Sequence, residues 1–483
     1  MGTRSGRVRI ARLLAVTLSA AVLATACEPD SPRSTPARSP QTTPEKPNSR
    51  LIGLVATMSG DDSWRGQSAF EGADLGVHKL NRRLAEDEEP FELVVRDDQG
   101  DPERAVKLIR ELAEIERVRG IVFAGPPEAL PETEPSLAEA GIPALLVYGD
   151  LYGARLLRPH LFQASPSLLW ESRRIASYLV RDRGYRRIGL MASLSLDGTS
   201  AVRSLRAAVR PMPGTRVIDH LYGSELEARD ASDAELSQTL QRFERQRVQA
   251  VVVESQPRVF GRVVAELRSM GALYRDTRTA RRSATRGRPW RPQIVGYDMA
   301  ISPRPGPDLP PGTVASDSYA RGVHLLPLPG FRAFKDAFEG WWDSEPLGWQ
   351  QRAYDGVSMI GWAARRTGRA GDVARTLERV RSLRFGGLDV TLGPDDHTSV
   401  DQTSVGLWTV PAPSAELRGV RALPEELPWV PLARGFSING RRTDISSYDW
   451  RYLFRDPPPR VAPAPSPRKM KFAVATPSKD PIH

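Results

Sequence analysis

The sequence is poor in cysteine and histidine: one Cys (Cys27) and six His in 483 residues. A single thiol cannot close an internal disulfide, so nothing of that kind can staple this fold. The histidines (His78, His160, His220, His324, His397, His483) are scattered, with no HExxH or paired spacing to hold a metal. No GxSxG elbow, P-loop or GxGxxG opening a helix is present either. The signatures of hydrolase, nucleotide and dinucleotide chemistry are therefore missing, and no catalytic residue, metal or cofactor is expected. Asp395-Asp396-His397 follows a glycine and reads as turn chemistry. A glycosidase-type carboxylate pair is the one catalytic arrangement that spacing does not exclude.

What is present begins with an address. Residues 1–26 hold four arginines (Arg4, Arg7, Arg9, Arg12) and no acid, then an apolar run from Leu13 to about Leu23 and Ala24-Thr25-Ala26-Cys27. A basic segment, a short apolar segment and small residues before a cut make a secretory signal, too short to span a bilayer as a mature helix. The stretch resembles the bacterial lipobox, which implies cleavage before Cys27 and acylation of its thiol. One position departs, because Ala24 stands where that motif has Leu. A plain signal peptide that happens to contain a cysteine is the alternative. Residues 28–49 are rich in Pro, Ser and Thr with almost nothing apolar. They read as a disordered spacer, lifting the folded part off the outer face of the cell membrane.

The net charge of +10 is unevenly placed. Four positive charges lie in the signal, a net +6 in residues 274–291 and +5 from Arg451 to the end, which leaves a body of about −5. The basic stretches suit anionic lipid or wall polymer, or are simply solvated. No nucleic-acid motif is visible, and nucleic acid is not expected as a partner.

From Leu51 short apolar runs alternate with amphipathic stretches. Strands are predicted at 51–56, 91–95, 120–124, 142–147, 187–192, 250–254 and 293–297, with 161–164 leading into a helix over 166–183. Further helices are predicted over 66–84, 102–115, 199–209 and 258–270. Continuous β-branched runs separated by helices mean parallel sheets covered on both faces. The rhythm restarts after Pro159, so two α/β lobes result, with a ligand expected in the crevice at the strands' carboxyl ends.

These segments resemble the Leu/Ile/Val-binding protein family, the type I solute-binding proteins of ABC importers. IGLVATMSGDDSWRGQSAFEGADLGVHKLN resembles the family's first strand, ligand loop and helix. The run Asp97-Asp98-Gln99-Gly100-Asp101-Pro102 is the most specific match, and GIVFAGPPEAL, AEAGIPALLVYG, FQASPSLLWESRRIASYLV and QQRAYDGVSMIGWAARR continue it. The resemblance implies a two-lobed type I periplasmic-binding-protein fold, each lobe a mostly parallel sheet with helices on both faces, joined by three crossovers. It assigns 51–160 and 298–385 to the first lobe and 161–297 and 386–412 to the second, with 274–291 as a basic insertion and 413–483 as an extension with a disordered, Pro-rich end. It also implies a monomer that captures a small solute and delivers it to an ABC permease.

In the family, small hydroxyl residues and free amides of the first lobe hold the carboxylate of an amino acid, and an acid from the second meets its amine. Here Gly125-Pro126 runs into Pro127-Glu128-Ala129 with no hydroxyl, and the fourth-strand loop is Tyr148-Gly149-Asp150. Asp197 precedes Gly198 where an aromatic is usual, Ser63 and Trp64 lie at the lid, Ser255 ends a second-lobe strand, and Asp298 falls near the amine-binding acid. Ligand contacts are therefore expected from Ser63, Trp64, Glu128, Ala129, Tyr148, Asp150, Asp197, Ser255 and Asp298. If Glu128, Asp150, Asp197 and Asp298 converge, four carboxylates favour a cationic or polyhydroxylated solute over a branched-chain amino acid. The same acids are also good helix caps and first-turn residues. The alternative function is an envelope-associated interaction or sensory lipoprotein that keeps the fold without small-molecule transport.

Overall fold

The computed structural model describes residues 50–60, 62–223, 231–273, 290–298, 309–310, 312–317, 329–346, 349–367, 372–400 and 404–410, with short strands at 430–431, 437–438 and 441–442. Cys27, the signal, the spacer and most of both basic stretches lie outside these residues.

The first sheet is built from β1 (Leu51–Ala56), α1 (Ser63–Asn81), β2 (Glu92–Asp97), α2 (Pro102–Glu114), β3 (Ile121–Ala124), α3 (Leu130–Ala140), β4 (Ala144–Leu146), α4 (Leu151–Ala154) and β5 (Leu161–Gln163). Its strands run in the order β2-β1-β3-β4-β5, all parallel. The helix starts follow local chemistry. Asp101 precedes Pro102 and its carboxylate accepts the amides of Glu103 and Arg104, so α2 has both a cap and a pre-set first φ.

The second sheet takes α5 (Leu168–Ala176), β6 (Arg187–Ser193), α6 (Leu196–Val209), β7 (Arg216–Tyr222), α7 (Asp233–Arg245), β8 (Ala250–Glu254), α8 (Pro257–Ser269), β9 (Gln293–Gly296) and β10 (Val314–Asp317). A π-helical segment, Ser177–Asp182, extends α5, so the helix predicted over 166–183 is two kinds of helix end to end. The chain then returns to the first lobe with α9 (Pro329–Trp342), α10 (Gln350–Thr367) and α11 (Val373–Leu377), makes the hairpin β11 (Leu383–Arg384) and β12 (Asp389–Val390), and rejoins the second sheet with β13 (Gly406–Thr409) and β14 (Val430–Pro431). That sheet runs β14-β13-β10-β9-β8-β6-β7, parallel from β10 to β7 and antiparallel where β13 and β14 join.

Both sheets are buried on both faces, as continuous apolar strands require. In the first, Leu54 faces Ala69, Ala73 and Val357, while its neighbour Val55 faces Ile109 and Leu112. In the second, Leu190 and Val252 face α5 and α6, whereas Met191 and Val253 face Leu240, Phe243 and Phe260.

Three segments near the expected lobe boundaries are placed by pairing and packing. The strand Leu161–Gln163 pairs with β4, so residue 161 belongs with the first sheet. The strand Val314–Asp317 pairs with β9, so the second sheet extends beyond 297 and the return to the first lobe comes after Asp317. The hairpin segment is shared between the lobes: Val390 and Leu392 pack in the first lobe's core, whereas Leu388 packs in the second's with Val400 and Val405. Partner choice in a sheet is a long-range property that a strand's own residues do not carry.

Candidate functional site

The loops after β1, β3 and β4 meet those after β8 and β6 at the seam between lobes. The turn after β3 is stiff. Pro126 and Pro127 lead into a single 3-10 turn, Pro127–Ala129. Gly125 before them has no alternative, since a Cβ there would lie 1.9 Å from Asp98 Oδ2. Gly149 in the next loop adopts φ +109°, and a Cβ on it would come 3.1 Å from Pro127.

Three of the four expected acids gather at the N-terminus of α6, the helix of the second lobe that points at this turn. Glu128 Oε1 accepts the Leu196 amide at 3.4 Å. Asp197 Oδ1 accepts the Asp150 amide at 3.0 Å. Asp150 is fully buried: its carboxylate caps α4 through the Gly153 amide at 2.8 Å and accepts the Ser200 hydroxyl of α6 at 2.9 Å. Burial raises its pKa above the ordinary carboxylate value, with the hydrogen bonds opposing that shift. A helix N-terminus attracts anions, and here the anions are supplied by the chain itself.

Asp298 does not join them. Its Oδ2 is 2.7 Å from Nη2 of Arg352, a residue near the start of α10, and both side chains are buried. Its amide donates to Glu171 Oε2 at 3.0 Å, and Glu171 also accepts the Ser316 hydroxyl. The residue expected to meet a ligand amine is therefore already neutralised by a guanidinium. Arg352 is invisible as a site residue in the sequence, where it is one of several polar residues at the start of α10, with Gln350, Gln351 and Asp355, that the fold buries.

The lid residues form an aromatic cluster. Trp64, on the first turn of α1, lies 4.5 Å from the Trp349 ring and 6.3 Å from that of Tyr148. Arg65 lies 5.2 Å from the Trp64 ring and Arg352 lies 5.8 Å from that of Tyr148. Tyr148 is buried, which pushes its hydroxyl pKa up. Ser63 opens α1, its amide donating to the Gly60 carbonyl. Nearby, Asp62 of the first lobe accepts Gln256 Nε2 of the second at 3.0 Å.

Two expected contacts are differently used. Ala129 packs in the core with Leu130 and Val106, and its amide donates to the Pro126 carbonyl. Ser255 is buried and donates to the Gln256 carbonyl at 3.0 Å. Among the described residues no group of three or more His, Cys, Asp and Glu is arranged to hold a metal.

The sequence matches the family model described as periplasmic binding protein over residues 51–406. The chain belongs to the periplasmic binding protein family. Its fold is that of the type I members, the Leu/Ile/Val-binding proteins of ABC transporters. LivJ of Streptococcus pneumoniae, a branched-chain amino acid transporter substrate-binding protein in complex with isoleucine, is 18% identical, with a TM-score of 0.58 over 75% of this chain and 96% of that one. A possible leucine/isoleucine/valine-binding protein from Rhodopirellula baltica is 17% identical, with a TM-score of 0.61 over 80% and 96%. A solute-binding protein of an ABC transporter from Rhodopseudomonas palustris, in complex with 3,4-dihydroxybenzoic acid, is 16% identical, with a TM-score of 0.59 over 79% and 96%. No curated protein matches. The family is extracytoplasmic and binds solutes, and no helix among the described residues is long and apolar enough to cross a membrane.

Proposed function

We propose that this periplasmic binding protein is the solute receptor of an ABC importer, held outside the cell membrane by a lipid on Cys27, and that its solute is not a simple branched-chain amino acid. The observation that carries the ligand reading is the buried Asp298–Arg352 pair. An ammonium arriving there would have to displace a guanidinium held at 2.7 Å, and would leave that cation buried and uncompensated. The turn after β3 offers no hydroxyl, and Glu128 would repel an incoming carboxylate. Both ends of an amino acid are thus disfavoured.

The same contacts narrow the solute class. With the four acids engaged by the chain's own donors, support for a cationic solute falls away. A neutral, polyhydroxylated solute fits better, resting against Trp64 and the aromatic rings behind it. Calorimetry on the purified chain with leucine, isoleucine and valine tests the reading. No heat of binding is expected, and micromolar affinity for any of the three would overturn it.

A second reading, an envelope-associated interaction or sensory lipoprotein, is favoured by the number of direct contacts that join the lobes: Glu128 to Leu196, Asp150 to Ser200, Asp62 to Gln256 and Asp298 to Arg352. Binding of any small solute with closure of the lobes would exclude it.

A further inference from the structure

A cavity lies on the first lobe, away from the seam between lobes. It sits between the C-terminal halves of α1 and α10 and the β11 hairpin strand, with a volume of about 170 Å³. Trp64 and Lys79 are fifteen residues apart on one helix, which at about 1.5 Å per residue puts the cavity roughly 22 Å from the seam. Its floor is apolar: Leu80, Leu383, Trp362 and Phe385, the Trp362 and Phe385 rings meeting edge to face at 6.2 Å, with Tyr354 also lining it. Its rim is basic, carrying Lys79, Arg83, Arg365, Arg366 and Arg384, and no acidic residue lines it.

The rim charges are only partly answered. Arg365 reaches Glu88 at 3.1 Å and Arg384 reaches Asp389 at 2.6 Å, both partners standing outside the cavity. Arg366 lies over the Trp362 ring at 4.2 Å. Five cations against two carboxylates leave a positive opening above an apolar floor. We infer that this cavity is a binding site for a small amphiphilic anion, its ring or short chain on Trp362 and Phe385 and its carboxylate or phosphate at the Arg83–Arg366 rim. The size agrees, since a cavity of about 150 Å³ lined by apolar side chains holds a benzene ring. Arginine forks suit a carboxylate or phosphate, and an opening near the surface lets the anion keep part of its hydration.

The test uses the full chain with benzoate as probe, followed by saturation-transfer NMR and calorimetry. Benzyl alcohol supplies the ring without the charge, and inorganic phosphate the charge without the ring. Benzoate is expected to bind at least fivefold more tightly than either. The Arg83→Ala/Arg366→Ala double variant changes only exposed side chains and should weaken benzoate at least fivefold with an unchanged melting temperature. Ser358→Phe, which fills the cavity from α10 without touching its charge, should abolish the signal. Benzoate binding that survives both variants belongs to the crevice between lobes, and would overturn this site while leaving the solute-receptor reading intact. Equal binding of phosphate and benzoate, or capture by phosphatidylglycerol vesicles without free benzoate binding, would also overturn it.

Discussion

At the residue scale the decisive groups are carboxylates that look available in the sequence and are engaged in the fold. Arg352 and Asp298 show what that engagement is worth. Removing one member of a buried pair strands the other, at a cost of about 3–5 kcal/mol, whereas replacing both by apolar or neutral groups of similar size is far milder. Arg352→Met should therefore lower the denaturation midpoint steeply, and Arg352→Met/Asp298→Asn should recover most of the loss. Chemical unfolding followed by circular dichroism reads both. A double variant as damaged as the single one would mean that the pair is not the source of the effect.

Asp150 gives a pH signature of the opposite kind to a surface salt bridge. Burial raises its folded pKa above the unfolded value, so the folded state holds its proton at a pH where the unfolded state has released it. Stability linked to this group is then greatest below the unfolded pKa and is lost as pH rises through the folded one. Asp98 is shifted in the same direction, also by burial. Asp150→Asn should flatten the dependence of stability on pH just above the ordinary carboxylate range. Equal slopes for Asp150→Asn and the parent chain, in thermal melts from pH 4 to 7, would contradict the assignment.

At the scale of elements, the close approach of α1 and α10 sets the shape of the first lobe. A Cβ on Gly72 would fall 1.8 Å from the Gln350 carbonyl oxygen, so Gly72→Ala must push the helices apart, at roughly 1–3 kcal/mol. Gly261, inside α8, meets nothing within 4 Å, and Gly261→Ala should stabilise by about 0.5–1 kcal/mol through helix propensity alone. Melting temperatures of the two variants should move in opposite directions. The elements also show what a sequence can carry. β1, β6, β8 and β9 are uninterrupted apolar runs and fall where their residues predict. β7 is hidden because an edge strand of the second sheet mixes Arg216, Asp219 and His220 with its apolar residues. α7 escapes notice for a related reason: only Leu236, Thr239, Leu240 and Phe243 are buried in an otherwise polar stretch. At the crevice, the acids were legible one by one. Their partners were not, because Arg352 stands 54 residues from Asp298, Ser200 stands 50 from Asp150, and no local pattern records such pairings.

At the scale of the whole molecule, the lobes meet through two layers of contact. The inner layer is the buried Arg352–Asp298 and Asp150–Ser200 pairing, and the outer layer is Glu128 on the α6 N-terminus and Asp62 on Gln256. The outer contacts are half-exposed and individually weak, of the order of a kcal/mol or less for a carboxylate at a helix end. They are therefore the contacts on which opening should depend. Asp62→Ala/Glu128→Ala should speed hydrogen exchange at the Leu196 and Asp150 amides several-fold, while the central strands β3 and β8 keep their protection. Uniform acceleration across all amides would indicate general loosening instead of a hinge. No acceleration at all would mean that the inner pairs alone hold the lobes together, and that only a solute able to compete with Arg352 for Asp298 could part them.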